Sequence, residues 1–136
     1  MSNTQIETQA QQFIDALHAL ETGSVDDVKQ LVDLFAEDAT LNNSALDSKE
    51  QTLKGREAIM KFWTEYKETL GKVNSDFRQM TFNENAAGLF WETEGYNTVG
   101  DSISYHGASL LEFSKEGQIT HFRGYYDTRE LVVKPL

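Results

Sequence analysis

The titratable side chains whose spacing best suits chemistry lie near the end of the chain. His121, Arg123 and Asp127 occupy odd-numbered positions of the segment HFRGYYD. Because alternate side chains of a β-strand share one face, the three are predicted to lie on the same face. A His beside an Asp is a pairing used in acid–base catalysis, which makes His121 and Asp127 candidate catalytic residues. The alternative is a structural or dimer-interface ion pair of Asp127 with Arg123 or His121.

Side chains that could bind a metal are few and scattered. The three histidines are His18, His106 and His121, and the chain contains no Cys. No group of these residues has the spacing of a metal-site motif, so neither a metal nor another cofactor is predicted. The absence of Cys also excludes disulfides and Cys nucleophiles.

The charge balance narrows the class of partner. The chain has 12 Lys and Arg against 22 Asp and Glu, a net charge of −10. Nucleic acids and anionic membranes bind clustered basic residues, so neither is expected as a partner. No apolar run reaches the ~18 residues of a membrane helix, and the polar start MSNTQIETQAQQ lacks the pattern of a secretion signal. We therefore expect a cytoplasmic protein in which residues 1–136 form one domain.

Two periodicities divide the chain. In the first half, apolar residues recur at steps of three and four, which predicts helices over about 6–20, 28–35 and 55–71. A short strand is predicted around Leu41, followed by a polar loop over 44–54. The period then becomes two, which predicts strands near 74–83, 87–98, 103–114 and 118–128. Short turns join these strands, so they must be antiparallel. The expected fold class is α+β, with three N-terminal helices packed on an antiparallel sheet.

This order of elements resembles the SnoaL-like branch of the nuclear transport factor 2-like superfamily. The segments that carry the resemblance are 13–17 (FIDAL), 34–40 (LFAEDAT), 55–59 (GREAI) and 117–127 (GQITHFRGYYD). The last segment, together with 129–131 (REL), is most similar to limonene epoxide hydrolase. The resemblance implies a cone-shaped α+β barrel whose sheet curves around a cup. It also implies a homodimer formed through the sheet.

The residues that catalyse epoxide opening in that relative have no counterparts here. The resemblance places Gly124 at the position of the Asp that activates water, and Thr93 and Gly95 near the positions of the Arg and the acid-donating Asp. Leu41 stands where the relative has a Tyr, and Asn43 matches the Asn that also holds the water. Epoxide opening needs a base for water and an acid for the leaving oxygen. Thr and Gly supply neither, so this reaction is not expected.

A second relative, ketosteroid isomerase, has a base, a Tyr and a protonated Asp, and the handling of its carboxyl groups is a well-known case of pKa tuning. The resemblance places Asn43 at the base, Phe13 at the Tyr and Ser109 near the second Asp. Asn cannot take up and return a proton at neutral pH, and Phe has no hydroxyl. This mechanism is therefore not expected either.

What remains is a largely apolar cup that is predicted to bind a small apolar molecule. Following the relatives' strand parity, its walls are predicted to be Phe13, Leu17, Leu41, Asn43, Trp63, Trp91, Thr93, Gly95, Ser109, Phe122, Gly124 and Tyr126. The apolar members are equally consistent with plain core, and the two glycines with bends of the sheet. Asn43 is equally consistent with a turn. Two alternatives stay open, namely an isomerase, cyclase or hydrolase with a displaced acid–base site, and a non-catalytic dimeric interaction module.

Overall fold

The computed structural model describes residues 2–131. Helix α1, Asn3–Thr22, begins with a capping box in which the Ser2 hydroxyl accepts from the Gln5 backbone and the Gln5 side chain accepts from Ser2. Its buried stripe recurs every three or four residues, as the sequence predicts. The helix ends at Gly23, and Ser24 caps the 3₁₀ turn Val25–Asp27 that follows. None of the helices within residues 2–131 combines the length and the apolar character needed to cross a membrane.

The next segment combines short helices with the first strands. Helix α2 is Val28–Val32, strand β1 is Phe35–Asn43, helix α3 is Ser44–Asp47 and strand β2 is Leu53–Lys54. The sequence analysis placed Phe35 on the second helix, whereas it begins β1 and is fully buried there. The predicted loop over 44–54 contains α3 and β2. Both are too short to produce a readable periodicity.

Helix α4, Arg56–Leu70, lies between two glycines with left-handed backbone. Gly55 has φ 91° and Gly71 has φ 65°, values that residues with a Cβ rarely adopt. The Gly71 N–H donates to the carbonyl of Lys67, which closes the last turn. The predicted boundaries of this helix are therefore set by turn chemistry at both ends.

Four long strands follow α4: β3 Lys72–Phe82, β4 Ala86–Tyr96, β5 Ser102–Phe113 and β6 Ile119–Tyr126. The six-stranded sheet has the order β2-β1-β6-β5-β4-β3. The predicted meander is antiparallel throughout, but β1 pairs with β6 in parallel, so the sheet is mixed. The α+β class is confirmed, with helices and a curved, unclosed sheet. Helix α1 packs on β3 and β4, and α4 packs on β1, so both helices cover the concave face of the sheet.

The core divides into two clusters of different size. The larger lies between the helices and the sheet and includes the fully buried Leu20, Leu31, Phe35 and Leu111. The smaller one joins Leu70 to the ends of β3 and β5. The sheet is kinked along β3, where the register with β4 shifts between Phe77 and Gln79. An irregularity of this kind bends the strand that carries it.

Candidate functional site

A cavity of about 250 Å³ lies between α1, α4 and the concave face of the sheet. Ten of the twelve predicted cup residues line it, namely Phe13, Leu17, Asn43, Trp63, Trp91, Thr93, Ser109, Phe122, Gly124 and Tyr126. Two exposed residues of α4, Glu65 and Thr69, also line it and therefore mark its rim. The face of α4 that carries them includes Phe62 and Tyr66, at helical spacing.

The two remaining predicted residues, Leu41 and Gly95, do not line the cavity. Leu41 is 0% exposed and belongs to the main core, where it pairs with Phe122 across β1 and β6. A Cβ on Gly95 would lie 2.3 Å from the carbonyl oxygen of Lys72 and 2.6 Å from the Cα of Val73. Gly95 therefore serves the close approach of β3 to β4 and provides no space for a ligand.

Gly124 is the opposite case. Among residues 2–131, and apart from its chain neighbours, a Cβ there would meet Asn43 Cβ at 3.6 Å and Phe122 Cε1 at 3.7 Å. Both distances are ordinary van der Waals contacts. The missing side chain at Gly124 thus leaves open volume inside the cavity.

Aromatic rings form one wall of the cavity. The Trp63 ring contacts Phe13, Phe62 and Phe122, with centroid separations of 6.2, 4.9 and 5.5 Å. These edge-on arrangements fix the rings against one another. The Nε1 of Trp63 is buried and has no hydrogen-bond partner within the described part of the chain. The second tryptophan, Trp91, donates from Nε1 to the Ser109 hydroxyl at 3.0 Å.

Asn43 has a structural task as well as a place in the cavity wall. Its Oδ1 accepts from the Leu46 backbone N–H at 2.8 Å and so caps α3. The turn interpretation of this residue therefore applies to its oxygen. Its Nδ2 makes no hydrogen bond to any residue in 2–131, which leaves one donor at this end of the cavity.

A buried carboxylate lies behind the opposite wall. Glu21, in the last turn of α1, is 0% exposed. Its Oε1 accepts from the Ser75 backbone N–H at 2.9 Å, and its Oε2 accepts from Tyr66 Oη at 2.6 Å and Ser75 Oγ at 2.5 Å. Ser75 Oγ lies 2.7 Å from Thr93 Oγ1. Tyr66, Ser75 and Thr93 all line the cavity, so the carboxylate connects to it through hydroxyl groups.

Three phenols around this wall stay protonated well beyond neutral pH. Burial, then the neighbouring Tyr105 and the charge of Glu21, raise the pKa of Tyr66 well above 10.0. Burial and the charge of Glu21 likewise raise the pKa of Tyr105. Burial also raises the pKa of Tyr126. At physiological pH each hydroxyl therefore carries its proton.

Glu21, Ser75 and Tyr105 were not predicted from the sequence, although the apolar pattern of α1 contains a signal for Glu21. Glu21 continues the buried stripe of α1 one turn beyond Leu17. A carboxylate on an apolar face is uncommon unless it is paired, so this position marks a polar network. Ser75 alternates with Val73 on β3 and Tyr105 pairs with Thr93, but strand parity on a kinked sheet could not be fixed in advance.

The proposed His121–Asp127 pair is wrong. His121 lies on β6 and Asp127 follows the last residue of that strand, so the six positions between them span roughly 20 Å of extended chain. His121 Nδ1 instead hydrogen-bonds Thr40 Oγ1 at 2.6 Å, and Asp127 pairs with Arg129 at 2.9 Å. The Arg129 hydrogen bonds lower the pKa of Asp127 to about 2.

Within the chain, Arg123 binds Asp47 of α3 and not Asp127, so the alternative pair of Asp127 with Arg123 does not form inside one copy, and its dimer-interface form stays a prediction. His106 pairs with Glu130 at 3.1 Å and lies far from His121. Within residues 2–131, no three His, Cys, Asp or Glu side chains come together in a group that could hold a metal ion.

Comparison with solved structures identifies the fold. The chain superposes on an NTF2-like protein of unknown function from Exiguobacterium sp. 255-15 with a TM-score of 0.73 and 16% identity, covering 88% of this chain and 98% of that one. An LEH-like epoxide hydrolase from M. tuberculosis gives a TM-score of 0.72 at 12% identity, covering 94% and 86%. AusH from Aspergillus nidulans gives 0.76 at 16% identity, covering 93% and 86%.

At these identities the structural likeness establishes the cone-shaped fold alone. No curated protein matches the chain in sequence. The model of the SnoaL-like domain family matches residues 10–122. This stretch includes most of α1, all of α4 and most of the sheet, together with every lining residue named above except Gly124 and Tyr126. The chain therefore belongs to the SnoaL-like domain family, and its fold is that of NTF2-like proteins.

Proposed function

We propose that the protein binds a small, mostly apolar molecule in the cavity between its helices and its sheet. The observation that carries this proposal is an aromatic-walled space of about 250 Å³ that opens beside α4. An engineered apolar cavity of ~150 Å³ takes one benzene molecule, so this space suits a ligand of roughly ten non-hydrogen atoms. Such a ligand would exchange water contact for the faces of Trp63, Trp91 and Phe122.

The lining favours binding over the acid–base chemistries of the relatives. Within the described residues, the one carboxylate in the lining is Glu65, which is exposed at the rim. The other titratable groups there are Tyr66, Tyr105 and Tyr126, and the pKa of each is raised by burial. A base poised near neutral pH is what proton abstraction needs, and none of these groups supplies it directly to the cavity.

Intrinsic fluorescence tests the proposal, because both tryptophans of the chain line the cavity. Titration with tetralin, a bicyclic hydrocarbon of ten carbons, should change the emission saturably. Gly124→Leu should abolish the response, because its side chain fills the open volume at Gly124. Tyr125→Leu is the matched control, since it alters the adjacent, outward-facing residue of the same strand. An equal response in wild type and Gly124→Leu would refute binding at this site.

We also propose that two copies pair through the outer face of the sheet. Phe90, Ala108 and Tyr125 are aligned in one cross-strand row, and Phe90 and Tyr125 are 44% and 50% exposed. An apolar row on an exposed sheet face suits a self-complementary two-fold contact.

Light scattering after size exclusion tests this pairing. Wild type should elute at twice the chain mass of 15.4 kDa. Tyr125→Glu should elute as a monomer, because it places a charge in the row. Val99→Glu, in a loop away from the row, should remain dimeric. A wild-type monomer at tens of micromolar would contradict the pairing.

A further inference from the structure

The buried Glu21 carboxylate determines which way the surrounding protons point. An ionised carboxylate can only accept hydrogen bonds. The three donors that converge on Glu21 are the Ser75 N–H, the Ser75 hydroxyl and the Tyr66 hydroxyl. Charge-assisted bonds of this kind are stronger than bonds between neutral groups. Both hydroxyl protons are therefore committed to the carboxylate.

The hydrogen bond of Ser75 to Glu21 also fixes the direction of the bond between Ser75 and Thr93. Ser75 has one hydroxyl proton, which it gives to Glu21, so the 2.7 Å contact between Ser75 Oγ and Thr93 Oγ1 must use the proton of Thr93. The protons of Tyr66, Ser75 and Thr93 thus all point along the network toward Glu21. What these three hydroxyls can still offer a ligand is the lone pairs of their oxygens.

We propose that this wall, the hydroxyl relay of Tyr66, Ser75 and Thr93, selects ligands that carry a hydrogen-bond donor, a hydroxyl or an N–H group, on an apolar body. The inference rests on the proposed function and specifies its ligand class. A donor completes the relay, whereas a carbonyl at the same place gains no hydrogen bond from these three hydroxyls. Burying an unpaired polar group weakens binding.

Three probes of one shape test the relay. Tetralin has no polar group, 1-tetralol adds a hydroxyl and 1-tetralone adds a carbonyl. In wild type, 1-tetralol should bind at least about tenfold more tightly than 1-tetralone. That ratio corresponds to about 1.4 kcal/mol. Tetralin reports the proposed function separately, since its binding depends on the apolar walls alone.

Glu21→Gln should reverse the donor and acceptor directions of the hydroxyl relay. The amide NH₂ that replaces Oε2 has two protons for the oxygens of Tyr66 and Ser75, while the amide oxygen keeps the Ser75 N–H. The Ser75 proton then turns to Thr93, and the Thr93 and Tyr66 protons turn to the cavity. The tetralol-to-tetralone affinity ratio should fall to about one or below, with tetralin binding unchanged.

Thr93→Val gives a second variant that does not alter the buried charge. It removes the Thr93 oxygen from the relay, so the tetralol-to-tetralone affinity ratio should fall. Tetralin binding with equal affinity for alcohol and ketone in wild type would overturn the relay and leave the binding site intact. A ratio that stays above tenfold in Glu21→Gln or in Thr93→Val would overturn it as well. If none of the three probes binds wild type, the proposed function fails and the relay with it.

Discussion

Alanine at Gly124 and at Gly95 should change stability in opposite directions. At Gly124, a methyl group makes ordinary contacts at 3.6 and 3.7 Å. Replacing Gly by Ala at a compatible position stabilises by about 0.4–1 kcal/mol through the unfolded chain. Burying the methyl group adds up to about 0.8 kcal/mol. We expect Gly124→Ala to be about 1–2 kcal/mol more stable than wild type.

At Gly95 the same methyl group meets backbone atoms at 2.3 and 2.6 Å, and φ is +153°. Overpacking costs about 1–3 kcal/mol, and a strained backbone conformation costs a similar amount. Gly95→Ala should therefore lose about 2 kcal/mol or more. Urea unfolding followed by far-ultraviolet circular dichroism measures both variants against wild type. The reasoning is refuted if Gly95→Ala matches wild type, or if Gly124→Ala is more than 1 kcal/mol less stable.

Two further predictions concern the buried polar groups near the end of α1. The raised pKa values of the three phenols mean that their contribution to stability is complete below pH 10 and is lost as pH rises through the folded-state values. The urea midpoint of wild type should therefore fall between pH 10 and 11. Tyr66→Phe should reduce the slope of the unfolding free energy against pH by up to about 1.4 kcal/mol per pH unit. An unchanged slope would count against a buried, protonated Tyr66 hydroxyl. Lys67 Nζ donates to the carbonyls of Glu21 and Gly71 at 2.9 and 2.6 Å. Lys67→Met should therefore lower the free energy of unfolding by about 2 kcal/mol in the same measurement. The control Lys61→Met, at an exposed position, should change it by less than about 0.5 kcal/mol.

Much of the fold could be predicted because local rules and tertiary packing agree. Apolar residues at helical spacing predicted helices over about 6–20 and 55–71, which lie close to the observed α1 and α4. The turn residues between the long strands gave the meander. The parallel pairing of β1 with β6 could not be read in this way, because it joins residues about eighty positions apart and leaves no local pattern.

The site was harder to predict than the fold, for a geometric reason. A glycine in a strand can leave space for a ligand or can let a neighbouring strand approach closely, and its residue type does not tell which. Gly95 has backbone atoms of β3 close to it, whereas Gly124 has only side-chain atoms at van der Waals distance. Leu41 has the right face but lies below the cavity floor in the core. Glu21 was hidden because a carboxylate ends the apolar pattern in the sequence, whereas in the structure it continues the buried face.

A crystal structure grown with tetralin tests the binding site most directly. The account predicts one ordered molecule between Trp63, Trp91 and Phe122, with its ring beside Gly124, and no such density in Gly124→Leu crystals. Collapse of these aromatic side chains into the cavity, or tetralin bound only on the outer face of the sheet, would contradict it.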